Sequence, residues 1–140
     1  DRLAVAAEQA RRLGLRLKIF DGYRPPAAQW VFWRHNPDPQ FVADPRRGSA
    51  HGRGAAVDLT LTDGQERELD MGTGFDAFTP LSWHGQDGVG AEAQRNRLLL
   101  LGLMAGAGWE HYAKEWWHYQ LPDAAALPLL ADGAAAVKLM

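Results

Sequence analysis

Ser49-Ala50-His51-Gly52-Arg53-Gly54-Ala55-Ala56-Val57-Asp58-Leu59-Thr60-Leu61 is the stretch on which the reading of this chain turns. Its second half alternates, with Val57, Leu59 and Leu61 on one side and Asp58 and Thr60 on the other, the period of a β-strand. Its first half holds Gly52 and Gly54, whose permissive backbone allows a bend that carries a loop histidine, His51, back over Asp58. An ionised aspartate on a strand whose other side is apolar needs a partner, because an unpaired buried charge is costly. A metal ion is one such partner. The plainer alternative is that Asp58 caps a turn and His51 lies at the surface.

A second stretch, Glu115-Trp116-Trp117-His118, offers another imidazole with a carboxylate three residues before it. A catalytic zinc takes three protein ligands and keeps one position open for water, and it works with a base beside that water. The two stretches together supply this set: His51, Asp58 and His118 as zinc ligands and Glu115 as the proton-transfer group. If residues 117–121 form a strand, His118 and Gln120 share one face, and Glu115 stands at the strand's entry, near His118 but not necessarily beside it. Glu-x-x-His is also common by chance, and the two tryptophans could simply be core. His35, His84 and His111 are expected at the surface or in packing roles, although His111 could in principle compete as a ligand. No His-Glu-x-x-His pattern is present.

Outward from these stretches, Leu3, Ala6, Ala7, Ala10 and Leu13 mark one face of a helix that Gly14 ends. Residues 15–20 alternate, Leu15, Leu17 and Ile19 against Arg16, Lys18 and Phe20, and predict a half-buried strand. Asp21-Gly22-Tyr23-Arg24-Pro25-Pro26 is a turn by composition, with a proline opening an aromatic-rich helix over 27–35. Three prolines make 36–48 a loop. Residues 62–90, rich in Gly, Asp and Pro, form a long, partly irregular excursion of a kind that is often functional. A helix is expected over 91–105 and a last strand over 117–121, with the alanine-rich tail from Pro122 weakly determined. Arg24 reads either as an electrophile for a developing oxyanion or as a surface ion pair. Asp76 either binds a substrate amine or ends a turn. Ser49 is placed to donate a hydrogen bond to a substrate carboxylate.

The chain has 140 residues, 46% of them hydrophobic and six of them tryptophan, enough for the core of a single domain spanning 1–140. Its net charge of -2, with acids and bases interspersed, points away from nucleic acid as a partner. The absence of cysteine excludes disulfides, thiolate zinc sites and cysteine nucleophiles. No apolar run approaches the roughly 18 residues a membrane span requires; the longest, 98–107, is interrupted by Gly102 and Gly106. No signal peptide is evident, so a cytoplasmic location is expected. The chain starts at Asp1 rather than methionine, which leaves a removed leader and a periplasmic location open. Oligomeric state is not legible.

Taken in order, four segments resemble the VanX-type D-alanyl-D-alanine dipeptidases, within the wider group of zinc D,D-peptidases with a Hedgehog-like fold. They are Lys18-Ile19-Phe20-Asp21-Gly22-Tyr23-Arg24-Pro25, Ser49-x-His51-x-Arg53-Gly54-x-Ala56-Val57-Asp58-Leu59-Thr60-Leu61, Met71-Gly72-Thr73-x-Phe75-Asp76 and Glu115-Trp116-Trp117-His118-Tyr119. The resemblance implies one zinc ion on His51, Asp58 and His118, Glu115 as acid/base, Arg24 as transition-state stabiliser and Asp76 near the free amine of a small D,D-dipeptide. It also implies an α+β fold, a small and mainly antiparallel sheet with packed helices and the zinc at one edge. Relatives usually carry a longer portion before the first strand, where this chain has fourteen residues; a less tightly walled pocket is the expected consequence. Two rival functions share the same zinc centre: a D,D-carboxypeptidase or peptidoglycan endopeptidase, and a zinc-stabilised binding module without catalysis.

Overall fold

Strand β2 (Ala56–Thr62) is buried at every position, so the side carrying Asp58, Thr60 and Thr62 is covered as thoroughly as the side carrying Val57, Leu59 and Leu61. The computed structural model, which describes residues 1–131, 133 and 134, explains this by setting β2 inside a four-stranded antiparallel sheet. The other strands are β1 (Arg16–Asp21), β3 (Glu110–Tyr112) and β4 (Glu115–Gln120), in spatial order β1-β2-β4-β3. Helices α1 (Arg2–Arg12) and α3 (Ala91–Gly106) pack against each other and against the sheet. Helix α2 (Pro26–His35) follows β1 and starts with Pro26 in its first turn, where the missing N–H costs nothing. The α+β class with its small antiparallel sheet is as expected.

Ala6 and Ala10 of α1, Leu100, Leu103 and Met104 of α3, the apolar side of β2, and Trp116, Trp117 and Tyr119 of β4 form one core. Two expectations about α1 and β1 fail at their ends. Leu13 does not join the α1 face; the helix stops at Arg12, Gly14 turns the chain at φ 73°, and Leu13 is 57% exposed. On β1 the alternation breaks after Lys18. Ile19 pairs with Leu59 but Asp21, not Phe20, pairs with Asp58, a β-bulge that turns Phe20 onto the core and leaves Ile19 46% exposed. The same bulge sets Asp21 directly opposite Asp58.

Helix α2 is inverted relative to its composition. Its aromatic and branched residues Trp30, Val31 and Phe32 are each more than 40% exposed, whereas Gln29 is buried. Strand β3 was not anticipated, and its effect is large. It supplies the sheet's outer edge, so β4 becomes an inner strand beside β2, and the expectation of a site at the sheet's edge gives way to one over its two inner strands. Among the described residues no helix is long and apolar enough to cross a membrane.

Candidate metal centre and cavity

His51 opens a single 3-10 turn, His51–Arg53, that Gly54 ends in the left-handed region at φ 64°. Ser49 shapes this turn by accepting a hydrogen bond from the Gly52 N–H at 2.9 Å, a role closer to a cap than to an exposed ligand group, although Ser49 also lines the cavity. The turn delivers the buried His51 ring over Asp58, which pairs across the sheet with His118. Three atoms converge: His51 Nε2 lies 3.2 Å from His118 Nδ1 and 3.2 Å from Asp58 Oδ1, and His118 Nδ1 lies 3.0 Å from Asp58 Oδ1. The outer ring nitrogens are engaged elsewhere. His51 Nδ1 donates to the Gly22 carbonyl at 2.7 Å, and His118 Nε2 donates to Gln120 Oε1 at 3.3 Å.

Those outer bonds fix both tautomers with their lone pairs turned inward. Two bare nitrogens and a carboxylate oxygen then crowd within 3.2 Å of one another, which is repulsive unless a cation stands among them. Zinc bonds of 2.0–2.2 Å in tetrahedral geometry hold their ligand atoms about 3.3 Å apart, close to these spacings. Among the described residues, His51, Asp58 and His118 form the one group with this potential. His35 is exposed; His84 and His111 lie away from the group with their rings facing each other at 5.0 Å.

Glu115 Oε2 stands 3.9 Å from His118 Nδ1. Residues three apart on a regular strand point to opposite faces. Here the β3–β4 register jumps from His111↔Tyr119 to Tyr112↔Glu115, so 116–118 bulge away from β3 and Glu115 comes round to the side of His118. Burial raises the Glu115 carboxyl to about 7, helped by the nearby Asp58 and Asp76 and opposed by His118. A group poised there can both take and return a proton near neutral pH.

Arg24 is held from three sides. Its Nε and Nη2 donate to Asp21 Oδ2 at 2.8 and 2.5 Å, its Nη1 donates to Gln29 Oε1 at 3.1 Å, and its guanidinium lies 4.7 Å from the centre of the Phe32 ring. Its Nη2 also stands 3.7 Å from the second Asp58 oxygen. The bulge in β1 makes this possible, because it directs Asp21 inward. Asp21 and Gln29 were not read as site residues from sequence; the three-residue spacing of Asp21 and Arg24 was the available signal for the first, and nothing local marked the second.

His51, Asp58, His118, Glu115 and Arg24 open on one cavity of about 200 Å³. Asp76 lines it from the 62–90 excursion, in a left-handed conformation at φ 58°, and burial with repulsion from Asp58 raises its pKa. Residues 39–43 also line it. Gln40 accepts from Lys114 Nζ and Tyr112 Oη, and Phe41 meets Phe78 at 5.2 Å between ring centres. The structure therefore brings all seven sequence-derived residues, His51, Asp58, His118, Glu115, Arg24, Asp76 and Ser49, to a single cavity.

The sequence matches the peptidase M15 family model, described as D-ala-D-ala dipeptidase, over residues 1–136. It is 49% identical to a D-alanyl-D-alanine dipeptidase of Escherichia coli (strain K12) over 130 residues, 93% of this chain and 67% of that protein. It is 36% identical to a protein of the same name from Streptomyces coelicolor, across 86% of this chain and 69% of the relative, and 34% identical to one from Enterococcus faecium, with the same coverage.

Proposed function

Because the chain belongs to the D-ala-D-ala dipeptidase family of peptidases, we propose that it hydrolyses D-alanyl-D-alanine with a zinc ion held by His51, Asp58 and His118. The observation that carries this reading is the inward turn of two imidazole lone pairs and one carboxylate oxygen, with a raised carboxyl 3.9 Å from one of the imidazoles. A bound zinc ion supplies Lewis-acid polarisation of the scissile carbonyl and acidifies water to a pKa of about 7.

Glu115 takes the proton from the attacking water and later gives it to the leaving amine. Its burial suits both halves of that task, since a carboxylate of ordinary acidity would take the proton poorly, whereas one raised to about 7 can both accept and return it. Arg24, fixed by Asp21 and Gln29, presents its remaining N–H groups to the oxyanion that forms at the attacked carbonyl. Asp76 pairs with the free ammonium of the dipeptide, and the Ser49 hydroxyl donates to its carboxylate. The cavity, smaller than the roughly 300–1,000 Å³ of drug-sized pockets, has room for a dipeptide. We place the protein in the cytoplasm, where a soluble dipeptide is the accessible substrate.

The deciding experiment is Glu115→Gln. Turnover of D-Ala-D-Ala is expected to fall by about 10²–10⁴-fold, the usual weight of a general acid/base, while metal analysis shows wild-type zinc content. Full turnover in that variant refutes the assignment. Equal cleavage of an N-acetylated substrate by the wild type refutes dipeptide recognition through the ammonium and favours a carboxypeptidase or endopeptidase.

A further inference from the structure

Arg97 lies in the buried stripe of α3 with Ala93, Leu100 and Met104 and is 1% exposed. A leucine would fill that stripe without the cost of burying a charge. Among the described residues no carboxylate hydrogen-bonds the guanidinium. It donates instead to three backbone carbonyls of the 62–90 excursion: Nε to Met71 at 2.7 Å, Nη2 to Leu81 at 2.9 Å and Nη1 to Trp83 at 3.1 Å. The first contact precedes Asp76 and the other two follow it, so a single side chain ties together the two ends of the loop that carries Asp76.

A second set of bonds closes the same loop from inside. Trp116 Nε1 donates to Thr73 Oγ1 at 2.9 Å, the Thr73 hydroxyl donates to Ser82 Oγ at 2.9 Å, and the Ser82 hydroxyl donates to the Ala77 carbonyl at 2.6 Å. Phe75 anchors the tip by stacking on Phe20, with ring centres 4.5 Å apart, and by meeting Trp117 edge-on at 5.7 Å. The loop needs holding. Asp76 has a left-handed backbone, uncommon for a residue other than glycine, and its carboxylate faces the repulsion of Asp58 and Asp21. Such a conformation persists only when the surroundings over-determine it.

We propose that Arg97 is a positioning residue for substrate recognition: by binding both ends of the 71–83 loop it holds the Asp76 carboxylate at the cavity wall that receives the substrate's ammonium. The proposal rests on the role given to Asp76 above. Lysine in place of Arg97 keeps the charge but cannot reach three divergent carbonyls. The loop then loosens at its ends, Asp76 loses its fixed place, and substrate binding suffers before the chemical step does.

The test measures kcat and KM for D-Ala-D-Ala, with zinc content, in Arg97→Lys, Asp76→Asn and the double variant. Arg97→Lys is expected to raise KM about tenfold with kcat changed less than about threefold, the pattern of lost ground-state binding. Acting through Asp76, it should add less than about twofold to the KM of Asp76→Asn, where independent sites would multiply. Ser82→Ala, which opens the inner closure, should show the same pattern at a smaller amplitude and carries the test alone if Arg97→Lys does not fold. The inference is overturned if KM is unchanged in Arg97→Lys and Ser82→Ala, if kcat falls instead, or if their effects multiply with that of Asp76→Asn. An unaltered KM in Asp76→Asn itself would overturn the Asp76 role and this inference with it, whereas an inactive wild type would strike the dipeptidase reading.

Discussion

The floor and the wall of the cavity are built by different means. On the floor, Asp58 and His118 sit opposite each other on the two inner strands, their separation set by the backbone hydrogen bonds of β2 and β4. His51 joins them from a turn fixed by Ser49 and by its own bond to Gly22. On the wall, Asp76 belongs to no strand or helix; local backbone turns shape its loop, and the side chains of Arg97, Thr73, Ser82 and Phe75 tie that loop down. Arg24 is intermediate, leaving the end of β1 but oriented by Asp21 and Gln29. The proposed ion site uses the sheet, whose ladder fixes positions to within tenths of an ångström. The proposed substrate wall uses a stapled loop.

The largest effect that could break this contrast is on the floor. Asp58→Ala leaves two imidazoles without the carboxylate between them and should lower zinc affinity by more than about 100-fold, beyond the usual cost of losing a group that only supports a ligand. Equilibrium dialysis against zinc checks this, and Asp76→Ala in the same assay should retain wild-type affinity. Equal loss in both would erase the distinction between floor and wall.

A smaller effect is expected between the two regions. Gln29 is buried, accepts from Arg24 and donates to the Ala43 carbonyl at 2.8 Å, joining the Arg24 guanidinium to the 39–43 side of the cavity. Gln29→Leu removes both hydrogen bonds, each worth about 0.5–1.5 kcal/mol net, and should lower stability accordingly, read by urea denaturation. Through a less fixed Arg24 it should also lower kcat by roughly three- to tenfold. An unchanged kcat would show that Asp21 alone orients Arg24.

The smallest effect concerns His84, behind the wall. Burial, with His111 and Arg97 nearby, lowers its pKa to about 4. Its contribution is therefore fully present above pH 6.5, where folded and unfolded chains both keep the ring neutral. It is lost as pH falls from 6.5 towards 4, because the unfolded chain gains a proton that the folded chain refuses. Urea midpoints at pH 7 and pH 4.5 should accordingly differ less in His84→Asn than in the wild type. A wild-type midpoint that does not fall over this interval would contradict the burial of this ring.

Residue chemistry is what made the floor legible in advance. His51, Asp58, Glu115 and His118 announce themselves by type and spacing, and the alternation of 57–61 was enough to place Asp58 on a strand. Glu115 was recognised as a partner of His118, but its geometry was not, since a regular strand would have sent the two apart; the bulge at 116–118 brings them together. The bulge in β1 likewise exchanged the expected roles of Ile19 and Phe20 and turned Asp21 inward. Bulges depend on how two distant segments share a ladder, and local sequence carries little trace of that.

Gln29 and Arg97 show the other limit. Periodicity counts apolar residues as inward and polar ones as outward, so a glutamine on an aromatic helix and an arginine in an apolar stripe are both assigned to solvent. Each is buried because its polar atoms meet partners outside its own helix, Arg24 and Ala43 for one, Met71, Leu81 and Trp83 for the other. The sequence by itself determined which side chains are candidates to bind an ion and to move a proton, because those tasks admit few residue types. The tertiary structure alone decided the strand order that makes β4 an inner strand, the bulges that aim Glu115 and Asp21, and the buried Arg97 contacts that hold the Asp76 loop, because each arises from hydrogen bonds between segments whose register no local pattern records.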